Sequence, residues 1–161
     1  VLKLTMNKIL FYLTLALGLL FLSGCEQTTN KYLDITANTE DKIVIETQDV
    51  TTKAEFLNYK VDDVTIQLIV VRGTDGKVRI AFNTCQVCSP SPKAYFIQSG
   101  EYIICQNCGT KFHINKVGEE KGGCNPTPVE EQITEGNRII LSKSYVESFK
   151  DKFADWQGPT N

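Results

Sequence analysis

Apolar and polar positions along the middle of the chain alternate with the period of two that marks a β-strand. Val64, Ile66, Leu68 and Val70 interleave with Thr65, Gln67, Ile69 and Val71, a run long and apolar enough to be a buried strand. Gly73-Thr74-Asp75-Gly76 supplies turn chemistry, and Val78, Ile80 and Phe82 resume the alternation, so residues 64 to 82 predict a β-hairpin. The pattern recurs on a smaller scale in Tyr95-Phe96-Ile97, a Ser99-Gly100 turn and Tyr102-Ile103-Ile104. Shorter β-type runs lie at Ile43 to Thr47, Ala54 to Tyr59 and Arg138 to Leu141. Near the end the period changes. Ser144-Tyr145-Val146-Glu147 matches a capping box, and Tyr145, Phe149 and Phe153 recur every four residues, which places three rings on one face of a helix ended by Gly158-Pro159. Such a stripe reads as core packed on a sheet. The expectation is a mainly β, small hairpin-built domain with two cysteine knuckles and one C-terminal helix.

The N-terminus follows a different rule. After Lys8 comes an apolar run, Ile9 to Leu22, of 14 residues. That length suits the h-region of a signal peptide and is short of the ~20 residues a spanning helix needs. The run meets Leu22-Ser23-Gly24-Cys25, which resembles the lipobox of bacterial lipoproteins. By that resemblance residues 1–24 are a cleaved signal peptide, and Cys25 takes lipid on its thiol and becomes the new N-terminus. Met6-Asn7-Lys8 makes a better start than Val1 to Thr5. Residues 25–41 are polar and rich in Thr and Asn, and read as a lipidated tether. The domain proper is then 42–156, with 157–161 as a C-terminal tail, on the extracytoplasmic face of a bacterial membrane.

Composition narrows the function. Lys3 and Lys8 are the basic residues before Cys25, so the processed chain of 137 residues carries 15 basic and 19 acidic side chains, a formal charge of −4. A nucleic-acid binder would carry the opposite balance. There is no Ser/His/Asp set and no phosphate-binding glycine loop, and the acidic residues are scattered as on a solvated surface. In a domain of this size a metal site contributes materially to folding.

The chemistry concentrates in cysteine. Cys85-Gln86-Val87-Cys88 and Cys105-Gln106-Asn107-Cys108 are separated by 16 residues, the spacing of four-thiolate metal sites. Each two-residue gap lets one turn aim two sulfurs at one point, and two turns complete a tetrahedron. Each pair follows a predicted hairpin. Gly109 sits where a tight turn calls for a positive φ. Spacing does not choose between zinc and an iron-sulfur cluster, and two disulfides or a thioredoxin-like redox pair are further readings for an oxidising compartment. Neither pair precedes a helix in a βαβ pattern, and no Cys-x-x-Cys-His is present for covalent haem. Cys124, in Gly122-Gly123-Cys124-Asn125-Pro126, lies in a sharp loop that could bring a fifth sulfur near the centre. His113 is the single histidine and an alternative ligand.

Taken together, Cys-Gln-Val-Cys, Gly100-x-Tyr102, Cys-Gln-Asn-Cys-Gly with Phe112 following, and Gly-Gly-Cys-Asn-Pro-x-Pro resemble the membrane iron-sulfur-containing, FtrD-like family over about residues 42 to 142. The resemblance implies cofactor binding by Cys85, Cys88, Cys105, Cys108 and Cys124, with His113 outside the pattern. It implies an iron-sulfur protein, and an electron carrier or metal handler beside an iron permease or redox partner. Many relatives carry several membrane spans where this sequence has one apolar run. A Rieske-type ligand set needs two histidines on one iron, and an all-cysteine set gives a lower potential. The expected metal ligands are therefore Cys85, Cys88, Cys105 and Cys108 around an iron-sulfur cluster. The alternatives are a structural zinc ribbon and a thiol-disulfide oxidoreductase whose exposed thiolate has a lowered pKa.

Overall fold

The structure is a computed structural model that describes residues 30–161. The signal segment, the lipobox and Cys25 lie outside the described residues. The described residues form eleven strands: β1 Lys31–Ile35, β2 Lys42–Glu46, β3 Glu55–Val61, β4 Val64–Arg72, β5 Val78–Cys85, β6 Phe96–Ser99, β7 Tyr102–Cys105, β8 Lys111–His113, β9 Pro126–Pro128, β10 Ile133–Glu135 and β11 Arg138–Ser142. Among the described residues one short helix, α1 Lys143–Glu147, is followed by a 3₁₀ turn at Lys150–Phe153, and another 3₁₀ turn lies at Ile114–Lys116. The mainly β class and both predicted hairpins are present, as β4–β5 and β6–β7.

The strands make three sheets. The largest runs β1-β3-β4-β5-β9, and two three-stranded sheets run β10-β11-β2 and β6-β7-β8. The central sheet is covered on both faces, which is why β4 is apolar on both phases. On one face, Leu57, Ile66, Leu68, Val70, Ile80 and Phe82 pack with residues of β2, β11 and the C-terminal segment. On the other, Phe56, Ile69, Val71 and Ala81 meet Phe96, Ile103 and Ile114, together with Cys85 and Cys105. The cysteine-bearing hairpin is thus the lid of the second core.

Residues read as a featureless tether do more than span. Lys31–Ile35 pairs in parallel with β3, Tyr32 opposite Phe56 and Asp34 opposite Asn58. Tyr32 stacks its ring 5.2 Å from that of Phe56, so the folded domain begins before residue 42. The helix is also shorter than its stripe suggests. Its cap is Ser142 and not Ser144: the Ser142 hydroxyl accepts from the Tyr145 N–H at 3.2 Å. Glu147, which a capping box would turn back on the helix, instead accepts a 3.0 Å hydrogen bond from the Tyr59 hydroxyl. Burial first, and then that carboxylate, push the Tyr59 pKa up to about 12. The aromatic stripe still packs as core. Phe82 stacks on Phe149 at 4.0 Å between centroids, with Tyr145 and Phe153 at 6.0 and 6.4 Å.

Three polar residues interrupt the second core: Asn58, Gln67 and Asn83, all essentially without solvent contact. They form an amide ladder across β3, β4 and β5. The Asn83 side-chain N–H donates to Gln67 Oε1 at 2.6 Å, and Gln67 donates to Asn58 Oδ1 at 2.7 Å. Asn58 extends the ladder to Asp34 Oδ1 on β1 at 3.1 Å. The remaining donors reach the carbonyls of Pro159 and Thr160 at 2.8 and 2.9 Å, so the supposed tail lies across the sheet. Trp156 Nε1 donates to the Asn83 carbonyl at 2.8 Å.

Asn83 also joins two sheets. Its Oδ1 accepts from the Phe96 N–H at 2.7 Å and its Nδ2 donates to the Phe96 carbonyl at 3.1 Å, as a paired strand would. Asn83→Ala leaves buried partners unsatisfied on Phe96 and Gln67. The expected loss is about 2–4 kcal/mol of unfolding free energy, read from the shift of the urea midpoint at unchanged slope. A loss within about 0.5 kcal/mol, the ordinary range of a surface substitution, would contradict this role.

Candidate metal centre

Both Cys-x-x-Cys pairs hang from strand ends and fold alike. Cys85 is the last residue of β5 and Cys105 the last of β7. In each knuckle the residue four places on donates back to the first cysteine: Ser89 N–H to the Cys85 carbonyl at 3.1 Å, Gly109 N–H to the Cys105 carbonyl at 2.8 Å. Gly109 has the positive φ its position requires, 74°. The knuckles are also tied to each other's surroundings. Cys85 N–H donates to the Ala94 carbonyl and Gln106 N–H to the Tyr95 carbonyl, both at 2.8 Å, while Cys105 N–H reaches the Thr110 carbonyl at 3.0 Å. Phe96 stands opposite Cys105 in the β6–β7 ladder. The Asn83 amide that grips Phe96 therefore sets the separation of the two sulfur-bearing strands.

A third segment completes the site. β9 pairs with the end of β5, Pro126 opposite Cys85, with a register shift between Phe82 and Cys85. Two prolines are tolerable there because β9 is an edge strand. The loop before β9 carries Cys124 and is clamped by Gln86, the residue after the first cysteine. Gln86 Nε2 donates to the carbonyls of Pro126 and Glu120 at 3.1 and 3.2 Å, and its Oε1 accepts from the Gly122 N–H at 2.8 Å. Gln86 N–H also donates to the Asn125 carbonyl at 3.0 Å, and the Asn125 side chain bonds the Gly122 carbonyl.

The sulfurs of Cys85, Cys88, Cys105 and Cys124 all lie within 4.8 Å of one another. Cys85 and Cys124 are 3.2 Å apart, Cys88 and Cys124 3.5 Å, and Cys88 and Cys105 3.9 Å. Cys85 and Cys105 are buried and Cys88 and Cys124 half-buried. The gathered set thus holds both sulfurs of the first pair, one of the second, and the loop sulfur. Cys108, the fourth ligand that spacing predicts, stands at the exposed rim with its sulfur 3.2 Å from Thr110 Oγ1. His113 is turned elsewhere: Nδ1 accepts from the Asn115 N–H at 3.1 Å and Nε2 faces Glu101 at 3.6 Å.

Thiols this close cannot ionise independently. Burial pushes Cys105 up to about 12, reinforced by Cys108 and by charge on Cys85. Cys124 is raised by burial and by its hydrogen bonds to the other sulfurs, and Cys88 is raised chiefly by burial. Burial opposes ionisation of Cys85, but the N–H groups of Cys88 and Val87 and the Cys124 thiol outweigh it and lower its pKa. Cys108 falls to about 6, first through its hydrogen bond with Cys124 and then through Thr110. A bound cation removes the conflict by neutralising several thiolates together.

The donor set fits a metal. Four sulfurs at ~2.3 Å from one tetrahedral ion stand roughly 3.8 Å from each other, a value that falls within the observed range of 3.2 Å to 4.8 Å. Iron-sulfur clusters are likewise held by cysteine thiolates. The sequence matches the family model described as membrane iron-sulfur containing protein FtrD-like over residues 50–153. The chain belongs to the FtrD-like family. No curated protein and no solved structure matches it. Among the described residues no helix is long and apolar enough to cross a membrane. This FtrD-like chain is an iron-sulfur or metal-binding protein: the family description and the four-cysteine group agree on that.

The sequence singles out all five cysteines but not the residues that hold them. Gln86 and Asn83 have no motif of their own. Their only sign was a polar residue inside a β-type run or a knuckle. Gln86→Ala removes the clamp on the Cys124 loop and should weaken metal binding about 10–100-fold, whereas His113→Ala should leave it unchanged. Competition with a chromogenic chelator measures both. Equal affinities for Gln86→Ala and the unaltered chain would contradict the clamp.

Proposed function

We propose that this chain is a lipid-anchored electron carrier on the extracytoplasmic face of a bacterial membrane, holding iron in a cage of cysteine thiolates and serving a membrane iron-uptake system. The observation that supports it most is the convergence of four sulfurs within 4.8 Å in a chain whose family is described as iron-sulfur containing. Lipid on Cys25 would hold the domain at the bilayer.

Iron in a four-thiolate site supplies one-electron chemistry. The chain's own residues hold and insulate it. Cys85 and Cys105 fix two sulfurs on strand ends inside the second core, and the Cys88 N–H donates to the Cys85 sulfur at 3.4 Å, stabilising negative charge there. Cys88 and Cys124 face outward enough to bring the centre to the surface. Val87, at the tip of the first knuckle, is 65% exposed and offers a redox partner an apolar contact beside the sulfurs. A structural zinc ion is the second reading, favoured by a spacing that suits any single tetrahedral ion.

Protein purified anaerobically from membranes should contain iron and absorb in the visible, bleaching with dithionite and recovering on oxidation. Cys25→Ala should move the same protein from the detergent phase to the aqueous phase. A colourless protein with stoichiometric zinc and no iron would overturn the electron-carrier reading. An unaltered chain that stays in the aqueous phase would overturn the anchor.

A further inference from the structure

The segment that delivers Cys124 leaves β8 and runs along the second core before it turns to the other sulfurs. Ile114 and Val117 are buried there. Gly118 follows with a φ of 72°, and a side chain on it would drive into the Ile80 carbonyl, so the segment lies against the backbone of β5. Glu119 then meets Arg79 of β5. Its carboxylate accepts from Arg79 Nε at 2.8 Å and stands 2.7 Å from Nη2. The guanidinium is 7% exposed and holds Asp75 as well, Nη1 and Nη2 each donating to one carboxylate oxygen at 2.8 Å. The turn that carries Asp75 is tied to the same segment: the Thr74 N–H donates to Asn115 Oδ1 at 2.8 Å, and Asn115 Nδ2 donates to Thr74 Oγ1 at 2.9 Å. Cys124 therefore sits on a short arc. Its far end is the pairing of Pro126 with Cys85, and its near end is the Arg79–Glu119 ion pair.

We propose that Arg79 is a positioning residue of the metal centre: through Glu119 it fixes the root of the arc, so that the Cys124 sulfur reaches the other three already placed. The inference rests on the four-thiolate reading of the site. Arginine suits this task because its planar fork holds carboxylates in a fixed geometry, which a lysine ammonium does not impose. Gln86 grips the arc along its length, at the Glu120 carbonyl and the Gly122 N–H. Arg79 grips it upstream, from the second residue of the strand whose last residue is Cys85. One strand thereby carries a ligand at one end and, near the other, the cation that aims a second ligand. Without this pin the arc would have to be ordered when the metal binds, and that ordering is subtracted from affinity. The ion pair acts on the metal only through Cys124, which separates it from a contact that merely supports the fold.

The test titrates the full chain with cobalt(II), whose charge-transfer absorption reports thiolate ligation. Glu119→Ala leaves Arg79 paired with Asp75, so the buried guanidinium keeps a counter-charge. This variant should bind cobalt about tenfold more weakly than the unaltered chain. Glu119→Gln, which keeps an accepting oxygen, should recover most of the affinity. In a Cys124→Ala background, where the remaining thiolates hold the ion, adding Glu119→Ala should change the affinity less than about twofold, since the two changes act through one ligand. Glu119→Ala at the unaltered affinity overturns the positioning role. So does a tenfold loss that persists without Cys124, which would make the ion pair a support of the fold alone. An unaltered chain that binds no cobalt overturns the four-thiolate reading itself, and the positioning role with it.

Discussion

The side chain of Asn83 is the joint on which the site depends. Two sheets meet at the second core without strand pairing between them at this point, and one amide substitutes for a ladder rung by taking the N–H and carbonyl of Phe96 together. Two residues further along β5 is Cys85, and directly across from Phe96 on β7 is Cys105. The amide thus fixes the two buried sulfurs relative to each other before any metal is considered. An apolar residue would fill the space as well but would set no register, since hydrophobic contact is non-directional. The cost of burying an amide is offset because every arm finds a partner: Gln67, Phe96 and, through the backbone carbonyl, Trp156.

The ladder continues outward and explains why the ends of the domain are folded. Asn58 and Gln67 have donors left over, and Pro159 and Thr160 supply the acceptors. Asp34 does the same from β1. Segments that look like a tether and a tail in composition are drawn onto the sheet by the polar groups of Asn58 and Gln67. At the opposite end of the site, Gln86 performs a comparable service with three side-chain hydrogen bonds to the 120–126 segment. Three segments distant in sequence are thereby brought together, each delivering sulfur to one point.

Much of this was legible in the sequence where the signal was periodic. The β4–β5 and β6–β7 hairpins follow from alternation and turn residues, and the Tyr145, Phe149, Phe153 stripe does pack as core against Phe82. The strand β1 was missed because an edge strand in parallel pairing can be polar on much of its length, as Lys31 and Asp34 are. The helix cap was misplaced because two serines, Ser142 and Ser144, stand two residues apart and only the backbone decides between them. At the site, the spacing of the two pairs pointed to Cys108, whereas the β5–β9 pairing brings Cys124 inward. Local spacing reports which sulfurs one turn can aim together. It carries nothing about a third loop arriving from 36 residues beyond Cys88.

On the proposed reading the centre is one iron ion in a cage of four thiolates, with a fifth thiol at the rim. Its most direct test is X-ray absorption at the iron edge of anaerobically isolated protein, which counts the sulfurs and detects neighbouring metals. The predicted result is a single shell of four sulfurs at about 2.3 Å, the distance typical of metal–thiolate bonds, with no short iron–iron scattering. An iron–iron distance, or nitrogen and oxygen ligands in place of sulfur, would contradict it.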